Sequence, residues 1–452
     1  MLPRIIPPEQ PLGRLAFVTT FVRNPLAVVP RAAYEEDFVA SLSGPRPYAC
    51  VTSPGLVKTV LLDERDKFGK RSQIRLLGPL LGKGILTSEG ADWRWQRQAS
   101  APMFRQEDLL GFVPTFVRST GKLLDGWRAQ AGGEAQVRPI DRDMARVTFD
   151  VISATLLPSA DETVGRAVER SVARFQAAGA WGQLFALARI PQWLPRPGFF
   201  SGRRSVIELR SAVAQMMRER HKQAAAPDDL MNRLMRARDP ETGQTMNDEQ
   251  LIDNLLTFYL AGHETTARAL TWTLYLLARS SEWTERLANE IETVTGGAPV
   301  EASHIERLVL VQQVLKESMR LYPPVPLMSR QGLVETMLAG HALPAATSVV
   351  MPIYVIHRHR KRWEQPDDFN PERFAPAREA KIERYQYMPF GAGPRICIGR
   401  AFAEIEATAM LATLLQHARF APAGHEPQPV ARVTLLPQGG MPLRVSLLTG
   451  RS

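Results

Sequence analysis

The longest uninterrupted helical pattern in the chain sets the terms for everything else. Asn247, with Gln250 at the position that can reciprocate its cap, reads as a helix start, and apolar residues then recur at helical spacing without a proline to about Arg279. A helix of about thirty residues crosses a whole domain, at about 1.5 Å per residue. It is not a membrane span, because Asn254, His263, Glu264, Thr265, Thr266 and Arg268 break its apolar face. The pattern predicts a buried central helix with a polar notch.

Around it the chain reads as mainly α with a small β part. Prolines at 3, 7, 8, 11, 25 and 30 make residues 1–30 an irregular arm, with one short helix between Leu12 and Val22. Residues from about Ala91 to Arg238 are mostly helical, broken at Pro102, Pro158 and the Pro-rich, aromatic stretch Trp193 to Phe200, which reads as a mobile lid. Ser303 with Glu306 predicts another helix start, closed by Pro323-Pro324. Short β segments are expected at Ser348 to Ile356, Arg432 to Leu436 and Leu443 to Leu447, the last two joined by a Gln-Gly-Gly-Met-Pro turn. No internal repeat or low-complexity linker divides the chain, so residues 1–452 read as one domain.

Composition narrows the function classes. The 56 Lys and Arg outnumber the 46 Asp and Glu, leaving a net charge of +10 that favours anionic partners. No basic run or basic helix accompanies that charge, so nucleic acid is not the expected partner. The two cysteines, Cys50 and Cys397, rule out a disulfide framework and suit a reducing compartment. The early apolar stretch Leu15 to Val22 is too short for an anchor and lacks a charged leader and a cleavage site, so a cytoplasmic protein is expected.

Cys397 lies in Phe390-Gly-Ala-Gly-Pro-Arg-Ile-Cys-Ile-Gly399, just before a helical run from Arg400. Glycines there let backbone approach a flat ligand and free N–H groups to face sulfur, while the helix N-terminus and Arg395 favour a thiolate. A dinucleotide loop is excluded by spacing, since no glycine follows Gly393 until Gly399. A buried structural cysteine and a metal thiolate both remain open from this loop alone.

The loop resembles the haem-binding loop of the cytochrome P450 family, with Phe390, both glycines, Arg395, Cys397 and Gly399 in place. Further motifs follow the family order: Ala261-Gly-His-Glu-Thr-Thr266 resembles the oxygen-activation motif, Glu317-Ser-Met-Arg320 the Glu-x-x-Arg motif, and Pro371-Glu-Arg-Phe374 the segment before the Cys loop. His357-Arg-His-Arg360 departs from the usual His-Arg-Asp-Pro, and no metal site is assigned to its histidines.

The resemblance implies haem b held between the central helix and the Cys-loop helix, with Cys397 as its axial ligand. Trp93, Arg97, Arg395 and Arg330 are then propionate contacts, Phe390 and Gly399 belong to the proximal loop, and Ala261 with Gly262 leaves room for dioxygen. Glu264 would relay protons and Thr265 would hold the reacting oxygen or a water beside it. Glu317, Arg320 and Arg373 would brace the segment leading to the loop.

The implied activity is hydroxylation or epoxidation of an apolar substrate with O2 and two electrons. No flavin or iron–sulfur domain is recognisable, so electrons would come from NAD(P)H through a ferredoxin or flavodoxin and its reductase, docked where Arg94, Arg105, Arg395 and Arg400 face the partner. Substrate walls are expected from Ile74 to Leu86, Phe175 to Phe200, Thr257 to Ala261, Val325 to Met328 and Leu435 to Pro437, mostly aliphatic and suited to lipid-like or terpenoid compounds. A haem-thiolate isomerase, dehydratase or peroxygenase, or a haem sensor or carrier, are the alternatives; the Glu264-Thr265 pair favours use of dioxygen.

Overall fold

The computed structural model describes residues 2–448 except 11, 43–46, 132–133, 223–228, 240 and most of 157–198. Of the expected lid, residues 193 and 196–198 lie outside the described residues, as does most of the substrate wall expected from residue 175 onward.

The central helix runs Asp248–Ala278. Both halves of its capping box form: the Gln250 backbone N–H donates to Asn247 Oδ1 at 2.9 Å, and the Asn247 N–H donates to Gln250 Oε1 at 3.1 Å. This satisfies two of the N–H groups that a helix start leaves free. Nearly every side chain from Leu251 to Leu277 is buried, as expected of a helix surrounded by other elements rather than lying on a surface. It packs on helices Ile140–Leu156, Phe199–His221, Val309–Leu321 and Arg400–His417. Trp272 stacks on Tyr322 with ring centroids 4.1 Å apart, and its indole N–H donates to the Leu435 carbonyl at 3.1 Å. One aromatic thereby ties the central helix to both the end of the Val309–Leu321 helix and a β segment.

The β part is divided. A five-stranded sheet has the order Phe38–Ser41, Tyr48–Val51, Ser348–Met351, Met328–Gly332, Phe68–Gly69, with one parallel pair between the second and third of these. A three-stranded sheet sets Pro442–Leu447 between Gln136–Pro139 and Ala418–Pro422.

Three expectations are corrected. The segment Ser348 to Ile356 is extended only to Met351; Pro352, without an N–H to continue a ladder, starts the helical turn Ile353–Ile356. Strands Leu435–Gln438 and Pro442–Leu447 do not pair with each other: the first pairs with Gln428–Ala431, the second joins the three-stranded sheet. Gly439 and Gly440 both have positive φ, and the Met441 N–H donates to Asp141 at 2.8 Å, so the chain is redirected toward another sheet instead of closing a hairpin. Glu301 and His304, not Ser303 and Glu306, form the capping box before the helix Val309–Leu321, while Glu306 accepts from Gln106 at 3.0 Å.

Among the described residues, no helix is long and apolar enough to cross a membrane.

Candidate active site

Cys397 is presented by a loop whose shape two glycines permit. Gly391 and Gly393 have φ of +72° and +70°, and a Cβ on Gly393 would stand 2.6 Å from the Leu61 carbonyl oxygen. Only glycine avoids both the left-handed strain and that contact. The Cys397 N–H donates to the Phe390 carbonyl at 2.9 Å, closing the loop, and the helix Arg400–His417 begins at its end.

Cys397 is exposed and lines a cavity of about 1310 Å³. Burial raises its pKa, while the Gly399 backbone N–H and the Arg97 guanidinium pull it back down. The cavity is larger than the roughly 300–1,000 Å³ typical of a single small-molecule site, leaving room for a cofactor and a substrate together.

Beside the thiol stands a cluster of buried cations. Lys70 and Arg330 are 6% and 7% exposed, and Arg395 and Arg97 line the same cavity. Lys70 Nζ donates to the Leu86 carbonyl at 2.6 Å and Arg395 Nη1 to the Ser88 carbonyl at 2.9 Å, so backbone carbonyls hold the cations in place. Burial and mutual repulsion push Arg395 to about 10, burial alone does the same to Arg330, and Lys70 falls well below its usual value. Glu89, whose carboxylate accepts from the Lys70 N–H at 2.8 Å, is the acid that offsets them. One carboxylate facing Lys70, Arg330 and Arg395 leaves room for further anionic groups, as the two propionates of a haem provide. The Arg395 guanidinium also lies 3.9 Å over the Trp93 ring, orienting both side chains.

Lys70 had no signal in the sequence, where it follows a Phe-Gly pair with no motif around it. Arg395 was expected at a partner-facing surface as well; the structure turns it inward, and of the four arginines named for that face Arg94, Arg105 and Arg400 are the exposed ones.

Across the cavity runs the polar notch of the central helix. Ala261 is open to the cavity and Thr265 is half-buried beside it, its hydroxyl donating to the Ala261 carbonyl at 2.8 Å. Thr266 bonds back to the Gly262 carbonyl at 3.2 Å. Gly262 lines the cavity and also serves packing: a Cβ there would stand 2.9 Å from Ile152 Cδ1, so its missing side chain admits the neighbouring helix.

Glu264 is not brought to the cavity. It stands about 100° round the helix from Thr265 and is absent from the cavity lining. It is buried, accepting from Arg268 Nε at 2.8 Å and from the Thr434 hydroxyl at 3.1 Å. Leu76, Ile85, Thr257, Val325 and Met328, from three of the segments expected to wall a substrate, line the cavity. Arg432 and Val433 stand in place of Leu435 to Pro437, because Leu435 is turned into the core under Trp272. Phe17 and Phe21 of the N-terminal helix Arg14–Arg23 also reach the cavity, which the sequence reading missed.

A family model for cytochrome P450 matches residues 18–443. The chain belongs to the cytochrome P450 family. Cyclooctatin synthase of Streptomyces melanosporofaciens is 32% identical over 406 residues, covering 88% of this chain and 86% of that relative. Cyclooctat-9-en-7-ol 5-monooxygenase of the same organism is 31% identical over 429 residues, covering 92% and 91%. The fold is that of a cytochrome P450 too: a crystal structure of the haem domain of cytochrome P450DA superposes with a TM-score of 0.80 at 24% identity, covering 99% of each chain. This P450 is therefore a monooxygenase, an enzyme of a family that works with haem, dioxygen and a redox partner.

Proposed function

We propose that this P450 binds haem b through the Cys397 thiolate and hydroxylates or epoxidises an apolar, terpenoid-like substrate. The observation that carries the reading is the placement, on one cavity, of the Cys397 thiol, an under-compensated cation cluster and the threonine notch of the central helix.

Cys397 would hold the iron, with Phe390 and Gly399 shaping the loop around the sulfur. Lys70, Arg97, Arg330 and Arg395 would hold the propionates, with Trp93 supporting Arg395. When bound, haem supplies the activation of dioxygen, and a thiolate ligand favours O–O cleavage. The chain's own share is orientation, exclusion of water and proton supply. Ala261 would keep the cavity wall low, Thr265 would offer a hydroxyl beside it, and Glu264, its neighbour in the sequence, would supply the acid. The apolar wall of Leu76, Leu77, Ile85, Phe258, Val325 and Leu327 favours a hydrocarbon body without charged groups. A relative named for acting on a cyclooctatenol supports the terpenoid choice.

Electrons would come from NAD(P)H through a ferredoxin or flavodoxin and its reductase. Exposed Arg94, Arg105 and Arg400 near the Cys loop give an acidic partner a complementary face, although Arg400 is shared with Glu404 at 2.9 Å. Reduction by such a partner should slow as salt rises; a rate independent of ionic strength would remove that docking face. Two cysteines in the chain, both free, fit a reducing cytoplasm.

The test is purification with bound haem, followed by titration with fatty acids, steroids, small aromatics and terpenes such as geranylgeraniol while following the haem spin state. The reading expects haem in the wild type, loss of the thiolate signature in Cys397→Ser and the largest response from terpenes. Failure of the wild type to take up haem overturns it.

A further inference from the structure

One wall of the cavity is assembled from three segments that are far apart in the sequence. The helix Arg14–Arg23 and its flanks bring only Leu, Phe, Val and Pro to the lining between positions 12 and 30. The turn between strands Gln428–Ala431 and Leu435–Gln438 brings Arg432 and Val433. Pro324, Val325 and Leu327 complete the wall. Hydrogen bonds join the three segments. Asn24 Nδ2 donates to the Pro429 carbonyl at 3.0 Å, the Ala431 N–H to Asn24 Oδ1 at 3.1 Å, and the Leu435 N–H to the Pro324 carbonyl at 2.9 Å. Among the described residues of this wall, Arg432 is the one polar side chain that lines the cavity.

Arg432 is set in that wall by backbone. Its Nη1 donates to the Arg23 carbonyl at 2.8 Å and to the Ala431 carbonyl at 3.0 Å. Arg23 is the last residue of its helix, where carbonyls lack helical partners and the helix dipole favours a cation. The side chain is half-buried, and burial alone lowers its pKa, whereas those of Lys70 and Arg395 are lowered by neighbouring cations as well. Arg432 thus stands apart from the cations assigned to the propionates.

A cation fixed in an apolar wall selects among substrates. A hydrocarbon lying on this wall would cover the guanidinium without returning a hydrogen bond, and a hydroxyl group brought there would find no other donor among the side chains of the wall. We propose that Arg432 is a specificity-determining residue that donates to a hydroxyl oxygen of the substrate, so that the preferred substrate is a terpenoid alcohol rather than a terpene hydrocarbon. The inference rests on the terpenoid reading given above and narrows it. A site built to bond a substrate hydroxyl rejects the analogue that lacks it, because its own polar group is then left dry. Holding the hydroxyl at Arg432 also fixes one part of the molecule, and so limits which carbons reach the Thr265 notch. A reaction that installs a hydroxyl must then precede this one.

Two ligands and three proteins test the assignment. The haem-loaded wild type, Arg432→Met and Arg432→Gln are titrated with geranylgeraniol and with the tetraene of the same skeleton that lacks only the hydroxyl, following the haem spin state. The ratio of the two Kd values within one protein cancels any general loosening of the wall. The wild type should bind the alcohol at least about tenfold more tightly than the hydrocarbon, the scale of one hydrogen bond to a charged group. In Arg432→Met the ratio should fall to about twofold or less, through weaker binding of the alcohol, while the Kd of the hydrocarbon stays within about twofold of wild type. Equal Kd values for the two ligands in the wild type overturn the proposal. So does an Arg432→Met that weakens both ligands alike, which leaves Arg432 as a cap on its helix and nothing more. If neither ligand alters the spectrum of the wild type while a fatty acid or steroid does, the terpenoid reading falls and this inference with it. Should Arg432→Met fail to load haem, Arg432→Gln carries the same decision, since its amide is neutral and can still bond the Arg23 carbonyl: a ratio as high as in wild type overturns the assignment.

Discussion

Arg320 grips Glu317 with two hydrogen bonds, Nε to Oε2 at 2.7 Å and Nη2 to Oε1 at 2.8 Å, and both side chains are fully withdrawn from water. The pair is not isolated. Arg320 Nη1 donates to the His357 carbonyl at 2.9 Å and the Pro366 carbonyl at 2.7 Å, Nη2 to the Asp368 carbonyl at 3.0 Å, and the Asn370 N–H donates to Glu317 at 2.8 Å. Arg373 Nε stands 3.5 Å from the same carboxylate. One ion pair thereby organises the segment that leads to the Cys loop.

Removing one partner leaves the other charge buried without compensation, which typically costs about 3–5 kcal/mol. Glu317→Ala and Arg320→Ala should each lower the free energy of unfolding by that amount and reduce haem content, read from denaturant melts and haem-to-protein ratio. Glu317→Gln, which keeps some of the hydrogen bonds, should fall between.

Gly393→Ala combines a left-handed backbone with a 2.6 Å approach to the Leu61 carbonyl. The conformational part alone costs roughly 1–2 kcal/mol, and the clash adds to it, so haem incorporation should drop sharply. Gly121 is the control: it lies in the helix Val113–Ala131 with nothing within 4 Å of an added Cβ. Gly121→Ala should stabilise by about 0.5–1 kcal/mol. Calorimetry of the two variants separates backbone demand from simple glycine content.

Lys70→Met should loosen the cofactor. The substitution keeps most of the side-chain volume and removes one buried cation from the group with Arg330 and Arg395. Loss of a charge-assisted contact worth about 1.5–3 kcal/mol predicts haem transfer to apomyoglobin faster by at least about tenfold. An unchanged transfer rate would take Lys70 out of the propionate site.

Glu406 gives a pH signature. Its burial pushes the carboxyl from 4.5 up to about 8, with Thr266 the hydroxyl that bonds it. The folded protein therefore keeps this proton at pH values where the unfolded chain has lost it. Stability contributed by the neutral group is full below 4.5, falls as pH rises toward 8, and levels off above, at up to about 1.4 kcal/mol per pH unit. Glu406→Gln should flatten that part of the profile, measured by denaturant melts from pH 5 to 8.5.

What the sequence alone determined about this protein is whatever depends on neighbours along the chain. The central helix and its capping box follow from Asn247, Gln250 and a proline-free apolar period, because each hydrogen bond spans at most four residues. The Cys397 loop was legible because its glycines answer to local backbone geometry, and the order of the motifs carried the family. Only the tertiary structure decided where the polar side chains of the site point. Glu264 meets Thr434 across a separation of 170 residues, and Arg395 meets the Ser88 carbonyl across 307. Lys70 enters the cation cluster, and the Gly439-Gly440 turn leaves for a different sheet, for the same reason. A buried charge or a free N–H takes whichever partner the packed fold brings within about 3 Å, and no periodicity in the sequence records that choice.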